Sequence, residues 1–202
     1  MTAFDESGAG GTLALGGIVG PALFVASWVA AGMLRNGYSP VHDAISRLAE
    51  RDAPHRWIVT SGMVAFAIGA GLLATAMATD RRLRAAAAAV AVAGASAFAV
   101  ALFPCTQGCP GPGRFTDDAH TLAAGIHYVS LTAAPLVAAW AFRRDRPGFA
   151  AFCTAAGSIA GMSLVAQTAG LGANGLLQRI GLTTDDVWMG MTAFPLLGRR
   201  SV

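Results

Sequence analysis

The most constraining feature of this chain is the alternation of long apolar blocks with short Arg-bearing stretches. A helix needs about 20 apolar residues to cross a hydrocarbon core about 30 Å thick. Five stretches meet that requirement plainly, at residues 11–34, 57–79, 85–104, 119–142 and 147–170. A sixth, residues 175–198, is long enough but carries Gln178, Arg179, Asp185 and Asp186. Trp188, Met189, Met191, Phe194, Leu196 and Leu197 follow the acidic pair, and Arg199 and Arg200 close the segment as an interfacial anchor does. The expected fold is therefore all-α, a polytopic membrane bundle of six transmembrane helices. Residues 1–10 are expected to form an N-terminal tail, residues 11–198 the transmembrane domain, and residues 199–202 a C-terminal tail.

Composition agrees with a bilayer setting. Of the 202 residues only 12% are charged, against about 25% in soluble domains. All 14 basic residues are Arg, which with the abundant Ala and Gly suggests a GC-rich bacterial genome and carries no mechanism. They are dispersed among the loops, unlike the concentrated basic face of a nucleic-acid binder, so nucleic acid is not an expected partner. Membrane lipids are. The apolar run behind residues 1–10 exceeds a signal-peptide core, and the first span is expected to be retained.

Orientation follows from the basic residues of alternate loops. Arg81, Arg82 and Arg84 follow span two, Arg143, Arg144 and Arg146 follow span four, and Arg199 and Arg200 follow span six. By the positive-inside rule these mark the cytoplasmic side and place both termini there, in a bacterial inner membrane. The other six Arg are interleaved with acids on the opposite face. Gly16 and Gly20, and Gly157 and Gly161, place small residues on one helix face; tight packing within the bundle is favoured over dimerisation.

Most polar residues fall toward the outer face. Residues 39–51 read as a short extracytoplasmic amphipathic helix, with Ser39 as N-cap and Pro40 in the first turn. Its apolar stripe is Val41, Ala44, Ile45, Leu48 and Ala49, opposite His42, Asp43, Ser46 and Arg47. It reads either as a surface helix whose Asp43 and Arg47 pair at i, i+4, or as a lid in which His42, Asp43 and Ser46 touch a substrate. In span four, His120 and His127 share a face about 10 Å apart in depth. A pair at i, i+7 seldom reaches one ion, so no metal site is assigned. In span six, Asp185 and Asp186 lie either deep in the membrane, where an acidic pair is a candidate functional group, or in a loop capped by Thr183 and Thr184. Ser163 and Gln167 add polar groups near the outer end of span five. Cys105 and Cys109, in a turn-rich loop on the oxidising face, are expected to form a structural disulfide; Cys153 is expected to be packed.

Tyr38-Ser39-Pro40 followed by Ile45-Ser46-x-Leu48, Phe103-Pro104-Cys105 followed by a His-bearing span, and Gly175-Leu176-Leu177-Gln178-Arg179 opening the last span together resemble bacterial six-span proteins grouped as domain of unknown function 998. The resemblance covers nearly the whole chain. It implies the six-span architecture and supplies no reaction.

Two functions stay open. One is an enzyme acting on a lipid or isoprenoid-like substrate, of hydrolase or terpene-cyclase type. Asp185 or Asp186 would then supply a carboxyl and His127 or His120 a base, with His42, Asp43, Ser46, Gln167, Gln178 and Arg179 binding substrate. The other is a non-catalytic protein that binds a lipid or amphiphile, or an accessory subunit, in which the same groups form a satisfied network. No G-x-S-x-G, H-E-x-x-H or P-loop pattern is present, and no cofactor is indicated.

Overall fold

In the computed structural model, residues 9–111 and 113–197 are described; residues 1–8 of the expected N-terminal tail, the expected C-terminal tail and the Arg199-Arg200 anchor lie outside them, and Ala9 and Gly10 open the first helix. Seven α-helices follow in chain order: α1 (Ala9–Ala14), α2 (Gly16–Leu34), α3 (Arg56–Ala78), α4 (Arg84–Leu102), α5 (Phe115–Phe142), α6 (Pro147–Thr168) and α7 (Asn174–Leu197). α1 leads into α2 across Leu15, and together they supply the first apolar stretch. Among the described residues five helical stretches are long and apolar enough to cross a membrane, Gly11–Leu34, Arg56–Ala78, Arg84–Leu102, Phe115–Phe142 and Pro147–Thr168. The chain is thus a multi-pass, membrane-type helical protein.

Each of α2 to α6 packs on the helix that follows it, and α7 packs on both α6 and α2. The helices therefore form a closed ring. Where α2 meets α3 the backbones nearly touch: a Cβ on Gly20 would stand 3.0 Å from the Gly69 Cα, and one on Gly69 would stand 2.8 Å from the Gly20 Cα. A Cβ on Gly157 would meet α5 at 3.2 Å from the Thr132 carbonyl oxygen. Both small-residue pairs read from the sequence thus serve close approach inside the chain, as membrane helices without a hydrophobic driving force between them require.

The loops divide between two ends. At one, Arg82 of the α3–α4 turn pairs with Asp145 of the α5–α6 turn at 2.5 Å. At the other, the α2–α3 loop, the α4–α5 loop and the start of α7 come together.

The first loop corrects one expectation. Residues 39–51 do not form a continuous amphipathic α-helix; the loop turns at residues 40–43, runs extended at Ala44, and makes one 3-10 turn at Ile45–Leu48. The reason is competition from α7. The Ile45 N–H goes to Gln178 Oε1 at 2.6 Å and the Val41 carbonyl accepts the Leu176 N–H at 2.9 Å, so both groups of the i, i+4 bond a helix would make are taken elsewhere. Asp43 meanwhile accepts the Ser39 N–H at 2.8 Å and pairs with Arg47 at 2.6 Å. Ile45 and Leu48 are then driven into the bundle, 2% and 1% exposed. The segment is a plug rather than a surface helix.

Candidate functional site

Four anchors hold the plug on α7. The Leu176 N–H donates to the Val41 carbonyl at 2.9 Å, and Arg179 donates to the carbonyls of Pro40 at 2.7 Å and Asp43 at 3.1 Å. Ile45 N–H donates to Gln178 Oε1 at 2.6 Å. Gly175 permits this seating, because a Cβ there would stand 2.7 Å from the Pro40 carbonyl oxygen. Arg179 also donates to the Tyr38 hydroxyl and lies over the Trp28 ring, 5.0 Å from its centroid, so its buried cation is met by carbonyls and π-faces. Burial pushes the Tyr38 phenol above its ordinary value of 10.0, against the opposing pull of Arg179.

A second set of contacts ties the plug to the α4–α5 loop. The Glu50 carboxylate, 3% exposed, pairs with Arg35 at the end of α2 and accepts the Gly108 N–H at 2.7 Å. Arg51 N–H donates to the Cys105 carbonyl at 2.9 Å. The Cys105 and Cys109 sulfurs are 1.97 Å apart, at disulfide distance. Asp117 at the start of α5 accepts both the backbone N–H and the hydroxyl of Thr106, at 2.7 and 2.9 Å.

Beneath this roof lies a cavity of about 240 Å³ enclosed by α2 to α7. Its walls are mostly apolar, with Phe24, Met63, Phe66, Val100 and Leu182 among them, and Ser46 and Cys109 reach it from the roof. Its polar groups come chiefly from α5. His120 Nδ1 lies 2.8 Å from the Phe103 carbonyl oxygen, and His127 Nδ1 lies 2.9 Å from that of Ala93. A carbonyl only accepts, so each Nδ1 carries the proton and each neutral ring keeps Nε2 as an acceptor. Neither Nε2 has a hydrogen-bond partner among the described residues. The ring of Phe66 meets His127 edge-on at 5.4 Å, fixing its plane. Beside it, Gln178 Nε2 donates to the Tyr128 hydroxyl at 2.5 Å.

The structure thus gathers Ser46, His120, His127, Gln167 and Gln178 around one space. Other candidates lie elsewhere. His42 is exposed, and Asp43 pairs with Arg47 on the outer side of the plug; the Ser39 N–H, and then Arg47, hold the Asp43 carboxyl below its ordinary value of 3.8. Arg179 secures the roof. Asp185 and Asp186 are in mid-helix rather than in a loop, 2% and 7% exposed, but neither lines the main cavity. Asp185 borders an adjoining void of about 10 Å³ that shares Tyr128, Gln167 and Gln178 with the main cavity. Asp186 lies seven residues before Ala193, whose Cβ abuts Gly17, on the face of α7 turned to α2. Cys153 is buried and accepts the Trp188 indole N–H at 3.3 Å.

Tyr128, Thr121, Met63 and Phe66 are wall residues that the sequence reading passed over. Tyr128 had a usable signal, a phenol beside His127 in an apolar run; the other three had none. No group of three or more His, Cys, Asp or Glu side chains placed to hold a metal ion occurs among the described residues.

Residues 18–195 match the family described as "Protein of unknown function (DUF998)", and the chain belongs to that family. No curated protein and no solved structure matches it.

Proposed function

We propose that this chain is a six-span protein of the bacterial inner membrane that holds the polar end of a lipid or isoprenoid-like amphiphile in the cavity beneath the plug. The observation that carries the reading is the pairing of a mostly apolar chamber with two imidazoles, each anchored through Nδ1 and presenting an unpaired Nε2. At about 240 Å³ the chamber exceeds the roughly 150 Å³ cavity that admits benzene and falls below the roughly 300–1,000 Å³ typical of whole small-molecule sites. One end of an amphiphile fits that range, with a hydroxyl donating to Nε2.

The sixth span is α7. At about 1.5 Å per residue its 24 residues reach about 36 Å. Its exposed large residues are Leu176, Ile180, Val187, Met191 and Phe194, a lipid-compatible stripe, while its polar groups turn inward, the arrangement that intramembrane charge requires. The Arg82–Asp145 end carries the clustered arginines and is assigned to the cytoplasm with both termini. The Cys105–Cys109 pair then lies on the oxidising side.

Binding without turnover is favoured, because neither Asp185 nor Asp186 reaches the chamber to pair with a histidine. Catalysis remains the second reading on one observation: a free Nε2 is the atom a general base would use. Filling the chamber separates binding from adventitious lipid. In Ala124→Phe and Ala97→Phe, a long-chain alcohol probe is expected to lose saturable binding to the folded protein, while Val129→Phe on the lipid face keeps it. Equal binding by all three would remove the proposal, and conversion of the probe by wild type but not by His127→Ala would favour the enzyme.

A further inference from the structure

Asp185 stands apart from the amphiphile chamber and faces a small space of its own. It is 2% exposed, and its Oδ1 has no hydrogen-bond partner among the described residues. The void it borders, about 10 Å³, is also lined by Thr132, Ser163 and Gln167. Gly181, one turn before Asp185, brings α6 close: a Cβ there would stand 3.3 Å from the Ser163 Cβ. Neither the Thr132 nor the Ser163 hydroxyl donates to the carboxylate, although both line the same space. Asp186 differs: among the described residues both of its oxygens are buried without partners, and it does not line this void.

We propose that Asp185, with the hydroxyls of Thr132 and Ser163, binds one small, dehydrated monovalent cation of sodium size. The donor set is all oxygen, which suits a hard cation and not a transition metal. About one water-sized sphere fits in the space, so an ion enters without its hydration shell. A single carboxylate balances a single positive charge; calcium and magnesium call for more carboxylates or retained waters, and neither is accommodated. The cation also supplies the counter-charge that an ionised group in mid-membrane needs. This inference is independent of what occupies the larger chamber.

The test is thermal unfolding of the full chain in detergent, in sodium chloride against choline chloride at equal ionic strength. Wild type is expected to show a saturable rise of about 5 °C at sodium about a hundredfold above its Kd. Asp186→Asn should keep the rise and Asp185→Asn should lose it. Should Asp185→Asn fail to fold, Ser163→Ala reads the same site, with apparent sodium affinity falling about tenfold or more. Equal melting in sodium and choline, loss of the effect in Asp186→Asn with retention in Asp185→Asn, or unchanged affinity in Ser163→Ala would each overturn the proposal.

Discussion

Replacing Gln178 by Met tests one of the four anchors that hold the plug on α7. Gln178 is 7% exposed; its Oε1 accepts the Ile45 N–H at 2.6 Å and its Nε2 donates to the Tyr128 hydroxyl at 2.5 Å. Met keeps nearly the same length and removes both bonds. Leaving the Ile45 N–H buried and unsatisfied costs about 1–3 kcal/mol. The lost bond to Tyr128 adds about 0.6 kcal/mol, the average for side-chain hydrogen bonds between membrane helices. The expected destabilisation is therefore about 2–4 kcal/mol. Equilibrium unfolding in mixed detergent micelles measures it, with Gln167→Met as the control, since Gln167 lines the same chamber and its side chain makes no hydrogen bond among the described residues. The control should change by less than about 0.5 kcal/mol. If Gln178→Met costs no more than Gln167→Met, the plug is not anchored as described.

Three further outcomes follow from the same contacts. Glu50→Ala leaves the Arg35 cation with only the Arg47 carbonyl and strands the Gly108 N–H, and since Arg35 is 16% exposed the loss should lie near about 3 kcal/mol, the lower end for a broken buried pair, measured by the same unfolding assay. Gly69→Ala forces a methyl against the Gly20 backbone and should destabilise by about 1–3 kcal/mol, whereas Gly125→Ala, with no atom within 4 Å of the new Cβ, should be neutral or slightly stabilising. Asp43 is held below 3.8, so its contribution is complete above that value and is lost as pH falls through the depressed one; acid titration of stability should show this component, below about 1 kcal/mol for so accessible a pair, in wild type and not in Asp43→Asn.

The spans were legible because bilayer thickness and charge bracket them. The sequence places them at 57–79 and 147–170, for example, and the helices run Arg56–Ala78 and Pro147–Thr168. Residues 39–51 have helical periodicity but form no continuous helix, because the Ile45 N–H and the Val41 carbonyl, which a helix would pair, bond to Gln178 and Leu176 of α7 instead. Polar residues flagged one end of the bundle, but not how they divide. His120 and His127 share a helix face, and both line the one chamber. The acids on α7 do not, because Asp185 and Asp186 are separated by about 100° of helix rotation and only packing against α6 or α2 decides what each meets. Phe66 and Met63, which complete the wall, are indistinguishable in sequence from lipid-facing residues.

The most direct test of the central claim is to map photolabelling by a diazirine-bearing long-chain alcohol on the full chain in lipid bilayers. Competable label is expected on the chamber residues Met63, Phe66, Thr121 and Ala124, and is expected to vanish in Ala124→Phe. Label confined to exposed residues on the outside of the bundle such as Val129 and Phe194, and unchanged in Ala124→Phe, would show that no amphiphile enters the chamber.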